Sequence, residues 1–270
     1  MRAHPAVGIA ATVALFAACS SSAPTYPPDS PLGKQCTTVP EGARRAVVIA
    51  ADGFRMGAAV IGSPQSNTGV VISYGQGQTI CDWLGVASDI ASSTQATVLV
   101  LERRGKGSSP GKRNYLLGPG DVASGVNYLH AHGARKIVVV GSSLGTLFAF
   151  IGSSPTGPRD AVRPSDVSSA VVAQPPCAVA LASPLLSWSA NGGELRNLDV
   201  RSLQSKVFIT YESRNATIAD DAGQVKARAT AVGATVVQTV AVDTKDHGLR
   251  LVREHPEAFA VLKAAVDACG

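Results

Sequence analysis

Short apolar runs dense in β-branched residues recur along this chain, each closed by turn residues and separated from the next by a stretch with helical spacing. Residues 69–74 (Gly-Val-Val-Ile-Ser-Tyr), 97–101 and 136–140 are too short for ordinary helices and show no polar alternation. That is the pattern of strands buried on both faces. Between them, 79–92 places Trp83, Leu84, Ala87 and Ile90 on one helical face. Residues 121–132 do the same with Val122, Val126 and Leu129; Asp121 is the expected cap and Gly133 the stop. A third helix is expected at 144–151. Later strands are expected at 178–182, 207–211 and 235–242, and helices at 219–232 and 255–268. Near the start, 46–51 and 58–61 read as a hairpin across Asp52-Gly53-Phe54-Arg55. Strands alternating with helices predict an α/β fold: a mostly parallel central sheet with helices on both faces. One domain is expected over residues 43–270, without internal repeats. Ligands of such sheets bind beyond the carboxyl ends of the strands.

With 45% hydrophobic and 16% charged residues over 270 positions, the chain has material for one core. A formal charge of +5 with both signs interspersed is too mild to argue for nucleic acid as a partner. The densest basic stretch is Arg103, Arg104, Lys106, Lys112 and Arg113. It reads as a solvated loop, or as one that steers an anionic substrate or surface.

The chemistry centres on Gly141-Ser142-Ser143-Leu144-Gly145, which follows Val138-Val139-Val140 directly and opens an apolar helix. A strand, then Gly-x-Ser-x-Gly, then a helix is the form of a nucleophile elbow. The serine occupies a tight turn whose neighbours must be small, and the helix N-terminus adds partial positive charge. A structural serine in a strand-to-helix turn is the alternative. A serine becomes nucleophilic only when a base takes its proton. Of five histidines, His4 lies in the leader, His130 and His132 at a helix end, and His255 at the start of the last helix. His247, in Asp246-His247-Gly248-Leu249, follows the last strand.

The order of these pieces resembles the α/β-hydrolase fold family over roughly residues 43–270. Glu102-Arg103-Arg104-Gly105-Lys106-Gly107-Ser108-Ser109 is similar to that family's D-x-R-G-x-G-x-S loop, and Tyr74-Gly75-Gln76-Gly77 sits where it has His-Gly. The resemblance implies a serine hydrolase of a carboxylic ester or related acyl bond, acting on a small-molecule acyl substrate with no metal or organic cofactor. It implies Ser143 as nucleophile, His247 as base, and the backbone amides of Leu144 and Gln76 as the oxyanion hole. Tyr74 replaces the usual His, and Thr146 a frequent second Gly. The orienting acid is expected after the strand at 207–211. The usual Asp position falls near Asn215, which carries no charge, and Glu212 is the nearest carboxylate. A dyad or an Asn-assisted site stays open; Asp220 and Asp221 are expected to cap the next helix, and Asp246 to point away from His247. Peptidase and thioesterase activity on the same scaffold are alternatives, as is a non-catalytic envelope binding protein with a degenerate site. Trp188 is read as core or rim, or as a pocket wall. Residues 185–205 sit where relatives insert a lid and leave room for a helical turn or two, a minimal lid.

The chain opens with Arg2 and His4, an uncharged run over 6–18, and Cys19-Ser20-Ser21-Ser22. The run is too short to span a bilayer as a mature helix. It resembles a bacterial lipoprotein signal, which implies cleavage after residue 18, lipidation of Cys19 and anchoring on the outer face of the cell membrane. An ordinary secretory signal is the alternative. Residues 19–42, rich in Ser and Pro, are expected as a tether. Cys36, Cys81, Cys177 and Cys269 remain, an even number suited to two disulfides in an oxidising compartment. Three pairings are possible; the expected one is Cys36 with Cys81 and Cys177 with Cys269.

Overall fold

The computed structural model describes residues 24–157, 161–163 and 170–270. The leader and Cys19 lie outside the described residues. A single turn of helix, α1 (Leu32–Gln35), precedes the hairpin of β1 (Arg44–Ile49) and β2 (Arg55–Ile61). Then come β3 (Thr68–Ser73), α2 (Ile80–Thr94), β4 (Thr97–Leu101), α3 (Gly118–Ala131), β5 (Lys136–Ser142) and α4 (Leu144–Gly152). After β6 (Val162–Arg163) follow β7 (Ala178–Ala182), β8 (Ser187–Ala190), β9 (Gly193–Arg196) and β10 (Lys206–Glu212). The chain closes with α5 (Ala216–Ala231), β11 (Thr235–Val242), α6 (Leu249–Glu254) and α7 (Pro256–Asp267).

Eight strands form one sheet in the order β1-β2-β4-β3-β5-β7-β10-β11. In this sheet only β2 runs against its neighbours; β4, β3, β5, β7, β10 and β11 are mutually parallel. The period-2 rule sorts the apolar runs onto two faces. Val71, Leu99, Val139, Val179 and Ile209 meet the helices α3, α4 and α5. Val70, Val98, Val138, Val140 and Phe208 meet α2, α6 and α7. The central strands are buried on both faces, with each fully buried Val, Leu or Ile contributing about 1.5–3 kcal/mol.

Several expectations change in detail. Helix α3 begins at Gly118 with Pro119 in its first turn, a position that tolerates proline. Asp121 is therefore no cap. It lies inside the helix, buried, with Arg104 Nε at 2.9 Å. The expected helix at 255–268 is α7, with His255 extended ahead of it and the short α6 preceding it. Helix α5 is capped by Asn215, whose side-chain oxygen accepts from the Ile218 amide, and not by Asp220 or Asp221. Asp221 Oδ2 accepts from the Leu186 amide at 3.1 Å instead. The segment at 185–205 forms the β8–β9 hairpin and one short turn, not helical turns. It pairs with β6 in a second sheet, and Trp188 is half-buried there.

Residues 24–42 are not a free tether. Tyr26 donates its amide to the Gly107 carbonyl at 2.8 Å, and Arg45 Nε donates to the Ser30 carbonyl at 2.7 Å. A disulfide joins Cys36 to Cys81, and a second joins Cys177 to Cys269, the expected pairing. The first binds α1 to α2, and the second binds the segment before β7 to the residues after α7. The basic stretch is also not wholly solvated. Arg104 is buried and bridges Asp121 and Asp52. Burial alone would lower its guanidinium; the hydrogen bonds it donates to both carboxylates more than offset this and hold it above the ordinary value.

Candidate active site

Ser143 sits between β5 and α4 with φ 52° and ψ −125°. A non-glycine residue at positive φ is strained, and the surroundings hold it there. Its amide donates to the Ala182 carbonyl at 2.9 Å. The small neighbours have steric causes. A Cβ on Gly145 would lie 2.0 Å from the Ser73 carbonyl oxygen, and one on Gly141 would lie 2.7 Å from the Gly145 carbonyl oxygen. Thr146, where a second glycine is frequent, has its own use. Its hydroxyl donates to the Ser143 carbonyl at 2.6 Å and accepts the Leu185 amide at 3.0 Å, tying the elbow to the segment before β8.

His247 follows β11 and reaches back across the sheet. Its Nε2 lies 2.7 Å from Ser143 Oγ, and its Nδ1 lies 2.5 Å from Glu212 Oε1. Glu212 is the last residue of β10 and is fully buried, while the His247 side chain is 41% exposed. The Glu212 carboxylate is thus shielded from water, while the His247 ring is open to solvent. The sequence-level pairing of Ser143, His247 and Glu212 is brought together in one line. Asn215 is not part of it, being engaged as the α5 cap. Asp246 turns to His255 at 2.9 Å and Arg250 at 3.0 Å, away from His247. The His255 hydrogen bond holds the Asp246 carboxyl below its ordinary value.

Sequence reasoning missed two contributors. Ser183 Oγ donates to Glu212 Oε2 at 2.6 Å and accepts the Gly248 amide at 2.8 Å. It follows β7, which lies between the strands that end in the elbow and in Glu212. That placement at a strand's carboxyl end was the available signal. Gly248 has φ 62°, and a Cβ there would stand 3.2 Å from Ser142 Oγ, so the base loop passes close over the elbow.

Leu144 opens α4 and Gln76 lies in the loop after β3. Neither amide has an acceptor among the described residues. Gly75, beside Gln76, approaches the elbow closely: a Cβ on it would stand 3.1 Å from Ser143 Cβ. Beneath this loop, the Tyr74 hydroxyl donates to Glu102 Oε1 and Gln35 Nε2 donates to Glu102 Oε2. Tyr74 and Glu102 are fully buried. Burial pushes both the Glu102 carboxyl and the Tyr74 hydroxyl up from their ordinary values. The Tyr-for-His replacement is thus matched by a buried carboxylate partner. Among the described residues, no group of three or more His, Cys, Asp or Glu side chains could hold a metal ion.

No protein-family model matches the sequence, and no curated protein matches it. Solved structures do match. The Pyrococcus furiosus esterase Pf2001 aligns with a TM-score of 0.62 at 17% identity, covering 83% of this chain and 91% of that one. An esterase/lipase from an uncultured bacterium aligns at 0.61 and 14%, covering 91% and 92%. A hormone-sensitive lipase from a metagenome library aligns at 0.62 and 13%, covering 86% and 88%. At such identities the likeness is one of fold, and the chain has the α/β-hydrolase fold.

Proposed function

We propose that the chain is a serine hydrolase that cleaves a carboxylic ester or related acyl bond. The observation that carries this reading is the unbroken line from Ser143 Oγ through the His247 ring to the buried Glu212 carboxylate. Ser143 Oγ attacks the acyl carbon as its proton passes to His247 Nε2. The carbonyl electrons move onto the oxygen, and the amides of Leu144 and Gln76 donate to it. Glu212 accepts from Nδ1, fixing the tautomer and stabilising the imidazolium. Collapse of the intermediate breaks the bond to the leaving group, which takes the proton from His247 and leaves an acyl-serine. Water repeats the sequence and frees the acid.

The test uses short-chain 4-nitrophenyl esters and a fluorophosphonate probe, with a matched thioester and amide to assign the bond. The expected result is turnover and labelling at Ser143, both lost in Ser143→Ala. Folded protein that neither hydrolyses these compounds nor takes up the probe overturns the proposal.

We infer further that the chain works outside the cytoplasm, anchored to the membrane by lipid on Cys19. The two disulfides support an oxidising compartment, and the leader pattern supports the anchor. Metabolic labelling with an alkynyl fatty acid should mark the wild type and not Cys19→Ser. Equal labelling of both overturns the anchor.

A further inference from the structure

The loop after β4 carries a cationic cleft that the acyl chemistry above does not use. Arg104 is matched by Asp52 and Asp121. Among the described residues, Arg103, Lys106, Lys112 and Arg113 have no carboxylate in ion-pair contact. Arg103 is the unusual one. Its Nη2 donates to the Gly75 carbonyl at 2.7 Å, and its guanidinium faces the Tyr74 and Tyr115 rings at 5.1 and 5.9 Å. Its Nε and Nη1 are buried without any hydrogen-bond partner. Glu102, next in sequence, does not serve it, because both Glu102 oxygens accept from Tyr74 and Gln35. A guanidinium removed from water with two nitrogens unmatched is costly to maintain. An anion held at the cleft would offset this uncompensated charge.

The surroundings suit such an anion. Arg103, Lys106, Arg113, Asn114 and Tyr115 line a narrow cleft of about 10 Å³, which Phe148 and the Asp121 carboxylate paired with Arg104 also border. Through Arg113 and Asn114 it continues into an open groove of about 510 Å³ walled by Phe54, Lys112 and Asn191. The position is also right for a substrate. Strands β4 and β5 are separated only by β3, so the loop after β4 lies about 10 Å from the strand that ends in the elbow. Gly75 bridges the two, accepting from Arg103 on one side and standing against Ser143 on the other.

We propose that this cleft is a subsite for an anionic oxygen-bearing group, a carboxylate or a phosphate, carried by the substrate about 10 Å from the bond cleaved at Ser143. The favoured substrates are then acidic esters and not plain fatty-acyl ones. This rests on the acyl-transfer reading of Ser143 for the position of the scissile bond, but not for the anion site itself.

The experiment uses the full chain with its disulfides intact and two aryl esters of equal reach, 4-nitrophenyl octanoate and 4-nitrophenyl suberate monoester, whose extended eight-carbon chain spans about 10 Å. The expected result is a kcat/KM at least about tenfold higher for the acidic ester at low salt, shrinking as salt rises. Arg103→Gln should abolish the preference. Because Arg103 also holds Gly75, the double variant Lys106→Gln/Arg113→Gln provides an independent check and should reduce the preference severalfold. The ratio between matched esters cancels any general loss. No preference in the wild type, or a preference that both variants retain, overturns the subsite while leaving the hydrolase reading intact. If no ester is turned over, the hydrolase reading fails. Calorimetry on Ser143→Ala then decides the subsite, with monomethyl suberate and inorganic phosphate as probes. Binding that Arg103→Gln removes supports it, and the probe that binds identifies the group; binding of neither overturns it.

Discussion

Ser183 and Glu212 share a 2.6 Å hydrogen bond inside the protein, and the same Ser183 hydroxyl accepts the Gly248 amide at 2.8 Å. One side chain therefore fixes the acid and the loop that bears the base. Ser183→Ala frees a buried carboxylate oxygen and a glycine amide together. A hydrogen bond to a charged group is worth about 1.5–3 kcal/mol, which corresponds to a 10- to 150-fold fall in kcat. KM should change little, because Ser183 lies behind the relay and not beside the substrate. Steady-state kinetics on an aryl ester check this; a change confined to KM would count against the role.

Glu212 tests the relay itself. Glu212→Gln keeps the shape but leaves the His247 imidazolium without its carboxylate. A drop in kcat of roughly 10³–10⁴-fold is expected, with labelling by a fluorophosphonate slowed in parallel. Thermal unfolding of the variant should remain cooperative, which separates a chemical loss from a folding one.

The Glu102 carboxyl, raised by burial, predicts how stability changes with pH. The unfolded chain releases this proton near the ordinary value of 4.5, while the folded protein keeps it to higher pH. In that window the folded state binds more protons, so this group's contribution to stability falls as pH rises. Glu102→Gln should remove that part of the decline, since the amide oxygen still accepts from Tyr74. Denaturant melts of both proteins from pH 4.5 upward should diverge; parallel curves would refute the assignment.

Gly145 is a steric prediction. A methyl group there would meet the Ser73 carbonyl oxygen at 2.0 Å, with backbone and not a flexible side chain in the way. Gly145→Ala should destabilise by at least about 1–3 kcal/mol and displace the elbow, lowering activity even in the fraction that stays folded. Gly223, on α5 with nothing within 4 Å of a Cβ, makes the control. Gly223→Ala should leave thermal stability equal or slightly higher.

Much of this architecture was legible because burial and periodicity agree in it. The strands at 97–101, 178–182 and 235–242 coincide with β4, β7 and β11, since β-branched or small apolar runs of that length have few other uses. Ser143, His247 and Glu212 followed from chain order and strand ends. The failures arose where two local signals competed. Asp121 looked like a cap, but Pro119 started the helix earlier and Arg104 claimed the carboxylate. Asn215 looked like a lost acid and is a cap. The β8–β9 hairpin had a readable signal that went unused: Asn191-Gly192, both at positive φ, is the preferred two-residue hairpin turn. Ser183 had only its place at a strand's carboxyl end to mark it, since its partners come from residues 29 and 65 positions away.

The docking of Tyr26 onto Gly107 places the first described residues beside the loop after β4, at the end of the strands that also bears the elbow. A lipid on Cys19 would then act as a short leash on the catalytic mouth itself. Seven residues of fully extended chain reach at most about 25 Å. An enzyme held this way would face the surface it is anchored to, and would draw its substrates from the layer of solution next to that surface and not from the bulk.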